Sequence, residues 1–179
     1  GARVVAGARV VAGARVVAGA LVVVGDDTWS EGTQVPADSR FLSQHLYMPV
    51  MEPATFQEIK DWVGVGFELS SASRLFITYL VTSNQADGGG SVTVSPNRFP
   101  RRLSARSRTR IDTSAISSDD RVIIPPVTTV KESQVVEERH PRLVAAARER
   151  GINAILNPLA GGARSDLAFV TSGLAYVYH

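Results

Sequence analysis

The sequence predicts an α/β fold with a partial parallel sheet, and three features lead to this prediction. Residues 21–24 form a continuous apolar run, which is typical of a strand buried on both faces. An amphipathic helix pattern begins near Thr55, and a second apolar run follows at 74–82. The order strand, helix, strand is the rhythm of parallel strands joined by crossover helices.

The first strand is followed by a polar loop. Gly25 and two carboxylates, Asp26 and Asp27, are expected to end the strand after residue 24. Residues 28–40 are predicted to form a loop that merges into a helix near 38–44. Open α/β sheets bind ligands beyond the carboxyl ends of their strands, so this loop is the first place to look for a site.

A second short strand is predicted at "MPVMEP" (48–53), and the long helix follows it. Thr55 and Glu58 have the spacing of a capping box, in which each side chain binds the other residue's backbone N–H. Gly64 and Gly66 are expected to weaken the helix but to permit close packing against a sheet. The predicted apolar stripe consists of Phe56, Ile59, Val63 and Phe67.

The middle of the chain shows little periodicity. "NQADGGGSV" (84–92) lacks the spacing of a dinucleotide or phosphate loop and is interpreted as a flexible turn. Residues 95–120 are rich in Ser, Arg and Pro and are interpreted as a linker. "RVIIPP" (121–126) is predicted to be a short extended segment.

The C-terminal part predicts further α/β structure. A helix is expected over 132–150, with a break or restart at Pro141, which would take the first position of its second part. Gly151 is expected to cap its C-terminus. Two more strands are predicted at 152–158 and 166–173, and the chain then ends where a helix would begin.

The N-terminus is repetitive. Residues 1–18 are three copies of "GARVVA", and residues 19–24 are a degenerate fourth copy. Six residues advance a helix by about 600°, so the copies would not share a helical face, whereas every copy repeats its facing in a strand. Four copies make little more than one coil of a β-helix, which cannot bury a core. We interpret residues 1–18 as a recent duplication or a nucleotide-sequence error without native structure or a partner strand.

Composition excludes several classes of function. The chain has 179 residues, enough for one domain or one and a piece, and its net charge of +2 indicates no particular partner. It has no cysteine, so it cannot form disulfides or ligate iron–sulfur clusters, and a cytoplasmic location is expected. Neither a signal peptide nor a membrane span is expected, because charged residues interrupt the apolar runs. The histidines lack metal-ligand spacing, and no Gly-x-Ser-x-Gly nucleophile elbow is present.

Several segments together resemble a known family. Two consecutive segments and the strand after them resemble the α-subunits of indolepyruvate ferredoxin oxidoreductase and its relatives: "GDDTWSEGTQVPADSR" and "MPVMEPATFQEIKDWVGVGFELS". This family consists of thiamine diphosphate-dependent 2-oxoacid oxidoreductases. Farther on, "RVIIPP", "ERHPRL" and "LAFVTSGLAYVY" are also similar to the family. The matching positions in the first two segments are Gly25, Asp26, Asp27, Thr33, Gln34, Asp38, Ser39, Arg40, Pro49, Glu52, Pro53 and Phe67 to Ser70.

The resemblance implies a domain organisation. Residues 19–94 would be the C-terminal part of a thiamine diphosphate pyrimidine-binding domain, 95–130 a linker, and 131–179 the start of a transketolase-C-like α/β domain. It further implies a fragment of an oxidoreductase that decarboxylates aryl 2-oxo acids, similar to indolepyruvate, with coenzyme A and ferredoxin. Expected partners are the rest of the subunit and a second subunit, with no membrane.

The departures from the family indicate a fragment. Family members often carry Pro-Gly-Met-His where this chain has residues 28–31, "TWSE". The upstream half of the pyrimidine-binding domain is missing, and with it the Glu that activates the aminopyrimidine. The Gly-Asp-Gly motif for magnesium and diphosphate and the cysteines for iron–sulfur clusters are also absent. These cofactors would belong to the full enzyme, and this chain alone is expected to be inactive.

The resemblance implies a set of cofactor-binding residues, which are Asp26, Asp27, Thr33, Gln34 and Arg40, and no catalytic or metal-ligating residue. Asp26 and Asp27 could orient a cofactor group or hold a cation, but acidic residues after a strand are more often solvated or cap a neighbouring helix. Thr33, Gln34 and Arg40 could hydrogen-bond a substrate carboxylate or a partner subunit, and Arg40 can equally form an internal salt bridge.

A second class of function stays open. "NRFPRRLSARSRTR" (97–110) contains six Arg and no acid, as expected of an arm that binds nucleic acid or phosphate. Only Phe99 could stack on a base, so a solvated linker is the preferred interpretation. The alternative to the enzyme is therefore a non-catalytic binding or interaction module with an Arg-rich linker, and nucleic acid is not the expected partner.

Overall fold

A computed structural model describes residues 3–5, 19–28, 30, 32, 34–96, 114, 124–155 and 166–177. Thr33, the Arg-rich segment 97–110 and most of the predicted linker lie outside the described residues, as do most of the repeat and residues 156–165.

The described strands form one four-stranded sheet in the order β1-β2-β4-β3. Their bounds are β1 Arg3–Val5, β2 Ala20–Asp26, β3 Val50–Met51 and β4 Phe76–Thr82. β2 and β4 run parallel in register from Ala20 beside Phe76 to Asp26 beside Thr82, and β3 is parallel to β4. The predicted α/β class with a partial parallel sheet is confirmed at this level. The first strand extends through Asp26, not only to residue 24 as expected.

Five α-helices are described: α1 Arg40–His45, α2 Phe56–Ser73, α3 Ser83–Asp87, α4 Val127–Gln134 and α5 His140–Glu149. A π-helical turn, Val135–Arg139, joins α4 to α5, and a 3-10 turn covers Gly173–Tyr176. Among the helices of the described ranges, none combines the length and apolar character needed to cross a bilayer.

The expected capping box starts α2. The Glu58 backbone N–H donates to Thr55 Oγ1 at 3.2 Å, and Glu58 Oε2 accepts from the Thr55 N–H at 3.3 Å. The predicted apolar stripe is wrong in part, because Val63 is 41% exposed. The most buried residues of the helix are instead Gly66, Leu69, Ser70 and Ser73. Small residues allow the helix to pack close to the sheet. The predicted stripe missed this face because it considered only large apolar side chains.

The core lies between α2 and the sheet. Its buried centre consists of Leu21, Met51, Leu69, Ile77 and Tyr79. The Tyr79 hydroxyl donates to the carbonyl oxygens of Ile59 and Glu58 at 2.8 and 3.2 Å, so this core side chain has a polar partner and ties β4 to the start of α2. Burial raises the pKa of this hydroxyl well above its usual range. Leu143, Ala146 and Ala147 of α5 pack against the same cluster from outside.

The segment after β4 is more regular than expected. β4 begins at Phe76, not at 74, because Arg74 adopts a left-handed conformation (φ 60) that ends α2. Residues 83–87 are helical, so the predicted flexible turn over 84–92 is wrong there. Thr93 then exchanges two hydrogen bonds with the Gln57 side chain, at 2.7 and 3.2 Å, which ties the chain back to α2.

The C-terminal helix differs from its prediction at its start and agrees with it at Pro141. It begins at Val127, not near 132. The predicted restart at Pro141 is confirmed within one residue, because a π-helical turn precedes α5 and the proline takes an early position of that helix, where its missing N–H is tolerated. Gly151 follows α5 with φ +63, as expected of a C-terminal cap.

The two C-terminal strands do not form within the described residues. Residues 152–155 and 166–172 have no strand assignment, and 156–158 lie outside the described part. Phe169 is 70% exposed and Val170 is fully exposed. An apolar run becomes a strand only where a neighbour covers it, so the two strand predictions are wrong for the described residues.

The start of the repeat joins the sheet. Arg3, Val4 and Val5 of β1 pair antiparallel with Val23, Val22 and Leu21 of β2. The expectation that the repeat has no partner strand is therefore wrong for these three residues. The other copies lie outside the described residues.

Candidate functional site

A cavity of about 630 Å³ opens where β2, β3 and β4 end. The carboxyl ends of parallel strands meet at one edge of a sheet, and this edge is where open α/β sheets take their ligands. The cavity is bordered by the loop after β2, the residues after β3, the segment 172–175 and the start of α3. The lining residues are Asp26, Asp27, Thr28, Asp38, Arg40, Glu52, Pro53, Leu80, Thr82 to Gln85, and Ser172 to Ala175.

Asp26 fixes the end of the loop that follows β2. Its carboxylate is buried and accepts two hydrogen bonds from Ser39, from the backbone N–H at 2.6 Å and from the hydroxyl at 2.7 Å. Ser39 is the residue that precedes α1. The carboxylate therefore joins the end of β2 to the start of α1, across a loop of twelve residues (27–38).

Asp27 holds the loop itself. Its Oδ2 accepts from the Gly32 N–H at 2.6 Å, and its carbonyl oxygen accepts from the Ala37 N–H at 3.0 Å. The side chain is buried. Both acids after the strand thus organise the loop, and the plainer interpretation of Asp26, as a residue that anchors the start of a helix, agrees with this geometry.

Arg40 is held by two acidic partners, Glu52 and Asp38. Its Nε and Nη2 donate to Glu52 Oε1 and Oε2 at 2.8 and 3.0 Å, and Nη1 donates to Asp38 Oδ2 at 3.1 Å. The Arg40 side chain is 38% exposed and that of Glu52 12%. The hydrogen bonds to Glu52 raise the pKa of the guanidinium above its usual range, against the lowering effect of partial burial.

Two polar residues that sequence reasoning did not select complete the wall. Ser172 donates from its hydroxyl to Glu52 Oε2 at 3.0 Å. The buried Gln85 donates from Nε2 to the Pro53 carbonyl at 2.5 Å and accepts from the Thr82 N–H at 3.0 Å. Thr82 and Gln85 have the spacing of a capping box, which was a usable signal in the sequence. Glu52 lies in a segment that matched the family, but its pairing with Arg40 could not be inferred from spacing.

The described wall is acidic. Four acidic residues, Asp26, Asp27, Asp38 and Glu52, line the cavity together with one Arg, Arg40. No group of three or more potential ligands could hold a metal ion within the ranges that the structure describes. Among the described lining residues the positive charge is that of Arg40, which is already paired with Glu52 and Asp38, and the carboxylate of Asp26 is bound by Ser39, so this wall does not fit the diphosphate and magnesium end of thiamine diphosphate.

The structure brings three of the five predicted cofactor-binding residues together. Asp26, Asp27 and Arg40 line the cavity. Gln34 is exposed and does not line it, and Thr33 lies outside the described residues. Whether any of them binds a cofactor stays a prediction.

Comparison with known proteins points to the same family as the sequence motifs. The chain is 26% identical over 155 residues to the indolepyruvate oxidoreductase subunit IorA of Pyrococcus abyssi (strain GE5 / Orsay). The match covers 87% of this chain but 23% of that relative, so the chain spans about a quarter of its length. No known family's model matches the chain, and no solved structure matches it. The chain therefore has a distant resemblance to an oxidoreductase subunit.

Proposed function

We propose that this chain is part of a subunit of a 2-oxoacid oxidoreductase and forms one wall of its substrate site. One observation supports this above the others. Three of the five segments that carry the family resemblance contribute residues to the same cavity: 26–28, 38 and 40 from the first, 52–53 from the second and, more than a hundred residues later, 172–175 from the last. In the proposed enzyme, an aryl 2-oxo acid similar to indolepyruvate is oxidatively decarboxylated with coenzyme A, and its electrons pass to ferredoxin.

The residues on the wall have supporting roles in this proposal. Asp26 and Asp27 hold the loop in place through Ser39 and Gly32. Arg40 is paired with Glu52 and Asp38, so in this proposal its main role is to shape the wall. Thiamine diphosphate supplies the nucleophilic carbon in such enzymes. Because the wall does not fit its diphosphate, we assign the cofactor, magnesium, iron–sulfur clusters and the second subunit's contacts to parts outside the described residues.

The test is a dye-reduction assay on the native assembly that contains this chain, isolated through an affinity tag. Thiamine diphosphate, magnesium and coenzyme A are supplied, and reduced viologen is measured with indolepyruvate, phenylpyruvate or pyruvate. We expect reduction with the aryl 2-oxo acids that requires both thiamine diphosphate and coenzyme A. An assembly that reduces the dye with none of the three acids would contradict the proposal.

A pair of variants in that assembly tests the location of the site. Arg40→Gln removes the partner of Glu52 at the cavity, whereas Arg142→Gln removes an exposed partner of Glu138 on α5. We expect the first to raise the KM for the 2-oxo acid and the second to leave it unchanged. Equal kinetics for the two variants would place the substrate elsewhere.

A further inference from the structure

We propose that residues 172–177 form a lid over the cavity, held closed by a latch on Glu52. Leu174 and Ala175 of this lid line the cavity. The inference rests on the proposed function only for the identity of the ligand. Its tests need no ligand, so failure of the lid and failure of the enzyme assignment are distinguishable.

The latch is a hydrogen bond to a fixed acceptor. The Ser172 hydroxyl donates to Glu52 Oε2 at 3.0 Å. Arg40 donates hydrogen bonds to both oxygens of the same carboxylate, at 2.8 and 3.0 Å, which restricts rotation of the Glu52 side chain. A charged and pre-positioned acceptor makes the hydrogen bond stronger than one between neutral groups.

Gly173 allows the backbone of the lid to lie close to the Glu52 side chain. It is buried and has φ +54, a conformation that favours glycine. A Cβ placed there would lie 3.1 Å from Glu52 Cβ and 3.2 Å from Glu52 Oε2. Any side chain at this position would therefore push on Glu52 and lift the lid.

The chain on the N-terminal side of the lid is exposed. Leu167 and Phe169 are each more than two-thirds exposed, and Val170 is fully exposed. The lid itself is a single 3-10 turn, closed by a hydrogen bond from the Val177 N–H to the Leu174 carbonyl at 2.9 Å. Opening the latch therefore moves a short turn and leaves the hydrogen bonds of the parallel sheet intact.

The first test is hydrogen exchange of the full chain, read by mass spectrometry over 172–177. Ser172→Ala removes the latch hydrogen bond, and we expect exchange to accelerate about threefold, because water can replace part of this exposed bond. Gly173→Ala should do the same. Gly151→Ala is the matched control, since Gly151 also has positive φ (+63) but no atom lies within 4 Å of the added Cβ.

Two results would overturn the latch. Unchanged exchange over 172–177 in both lid variants would show that Glu52 does not hold the turn. Acceleration that spreads to β2 and β4 would show that residues 172–177 are part of the core, not a lid.

The second test measures access to the cavity by thiol labelling, because the chain contains no cysteine. Ser83→Cys places one thiol on the cavity wall, and Ser91→Cys places one on an exposed loop as the control. Adding Ser172→Ala should accelerate labelling at 83 about as much as it accelerates exchange, with no effect at 91. Equal labelling rates at 83 with and without the latch would show that the segment does not gate the cavity.

Discussion

At the scale of single residues, Arg40 is where the structure decides between two roles that the sequence leaves open. A free guanidinium at this position could bind a substrate carboxylate, whereas a paired one supports the wall. The bidentate contact with Glu52 and the third hydrogen bond to Asp38 are the paired arrangement. Glu52 lies twelve residues away in sequence, across α1, so only the fold could reveal it.

A double-mutant cycle measures the Arg40–Glu52 pair. We expect Arg40→Gln, Glu52→Gln and the double variant to give a coupling energy of about 1–2 kcal/mol in urea unfolding, because the geometry is bidentate and Glu52 is nearly buried. The same cycle on the exposed Arg142–Glu138 pair should give about 0.3–0.5 kcal/mol. Equal coupling in the two cycles would contradict the assignment of Arg40 as a wall-forming residue.

At the scale of elements, the sequence predicted α2 well and its buried face poorly. The capping box depends on four consecutive residues, 55 to 58, and can be recognised in the sequence. The buried face depends on how close the helix lies to β2, and Gly66, Ser70 and Ser73 set that distance. The same limit applies to the cavity: the loop was located by its position after a strand, but Gln85 and Ser172 joined it only through tertiary contacts.

Two glycines in α2 test this account of its packing. Gly64→Ala adds a Cβ with no atom within 4 Å and should stabilise the helix by about 0.8–1 kcal/mol through propensity. Gly66→Ala places a Cβ 2.7 Å from Leu21 Cδ2 and should destabilise by about 1–2 kcal/mol, because the core must shift. Thermal and urea unfolding of both variants check the opposite signs. A stabilised Gly66→Ala would mean that α2 can move off the sheet at no cost.

At the scale of the whole molecule, the strand–helix–strand pattern of the sequence predicts that β2, β4 and β3 are parallel. It does not predict which segments pair at the edges of the sheet. β1 pairs with β2 through three residues of the repeat, a pairing that its six-residue period does not predict. The predicted strands near 152 and 166 fail for the opposite reason, since their apolar runs have no covering neighbour among the described strands. Strand pairing depends on partners distant in sequence, which local patterns do not report.

Removal of the repeat tests how much β1 contributes to the stability of the fold. Deleting residues 1–18 takes away a three-residue edge strand and leaves the β2–β4–β3 ladders intact, so we expect a loss of no more than about 2 kcal/mol. The freed edge of β2 should also increase self-association, measured by sedimentation. Val4→Pro in the full chain is the control, because it blocks the backbone pairing alone. Complete unfolding of the deletion variant would show that the repeat is integral to the core.

The alternative function predicts nucleic-acid binding through the Arg-rich segment. We expect weak binding of duplex DNA that falls steeply with salt, with a log–log slope of about −0.9 per phosphate neutralised. Fluorescence anisotropy at several salt concentrations measures this. Sub-micromolar affinity at physiological salt would favour the binding module over the enzyme if changing Arg101, Arg102, Arg106, Arg108 and Arg110 to Ser abolished it.

If thiamine diphosphate is bound by other parts of the enzyme, as proposed, this chain alone should not bind it. The wall of its cavity is acidic, and no cluster of metal ligands is found in the described ranges. Magnesium can join a diphosphate to one or two protein carboxylates, but those of Asp26 and Glu52 are already bound by Ser39 and Arg40. We therefore expect calorimetry of the isolated chain with thiamine diphosphate and magnesium to show no binding in the micromolar range. Micromolar binding that Gln34→Ala or Arg40→Ala weakens, and Arg142→Ala does not, would instead place the cofactor on the loop that follows β2.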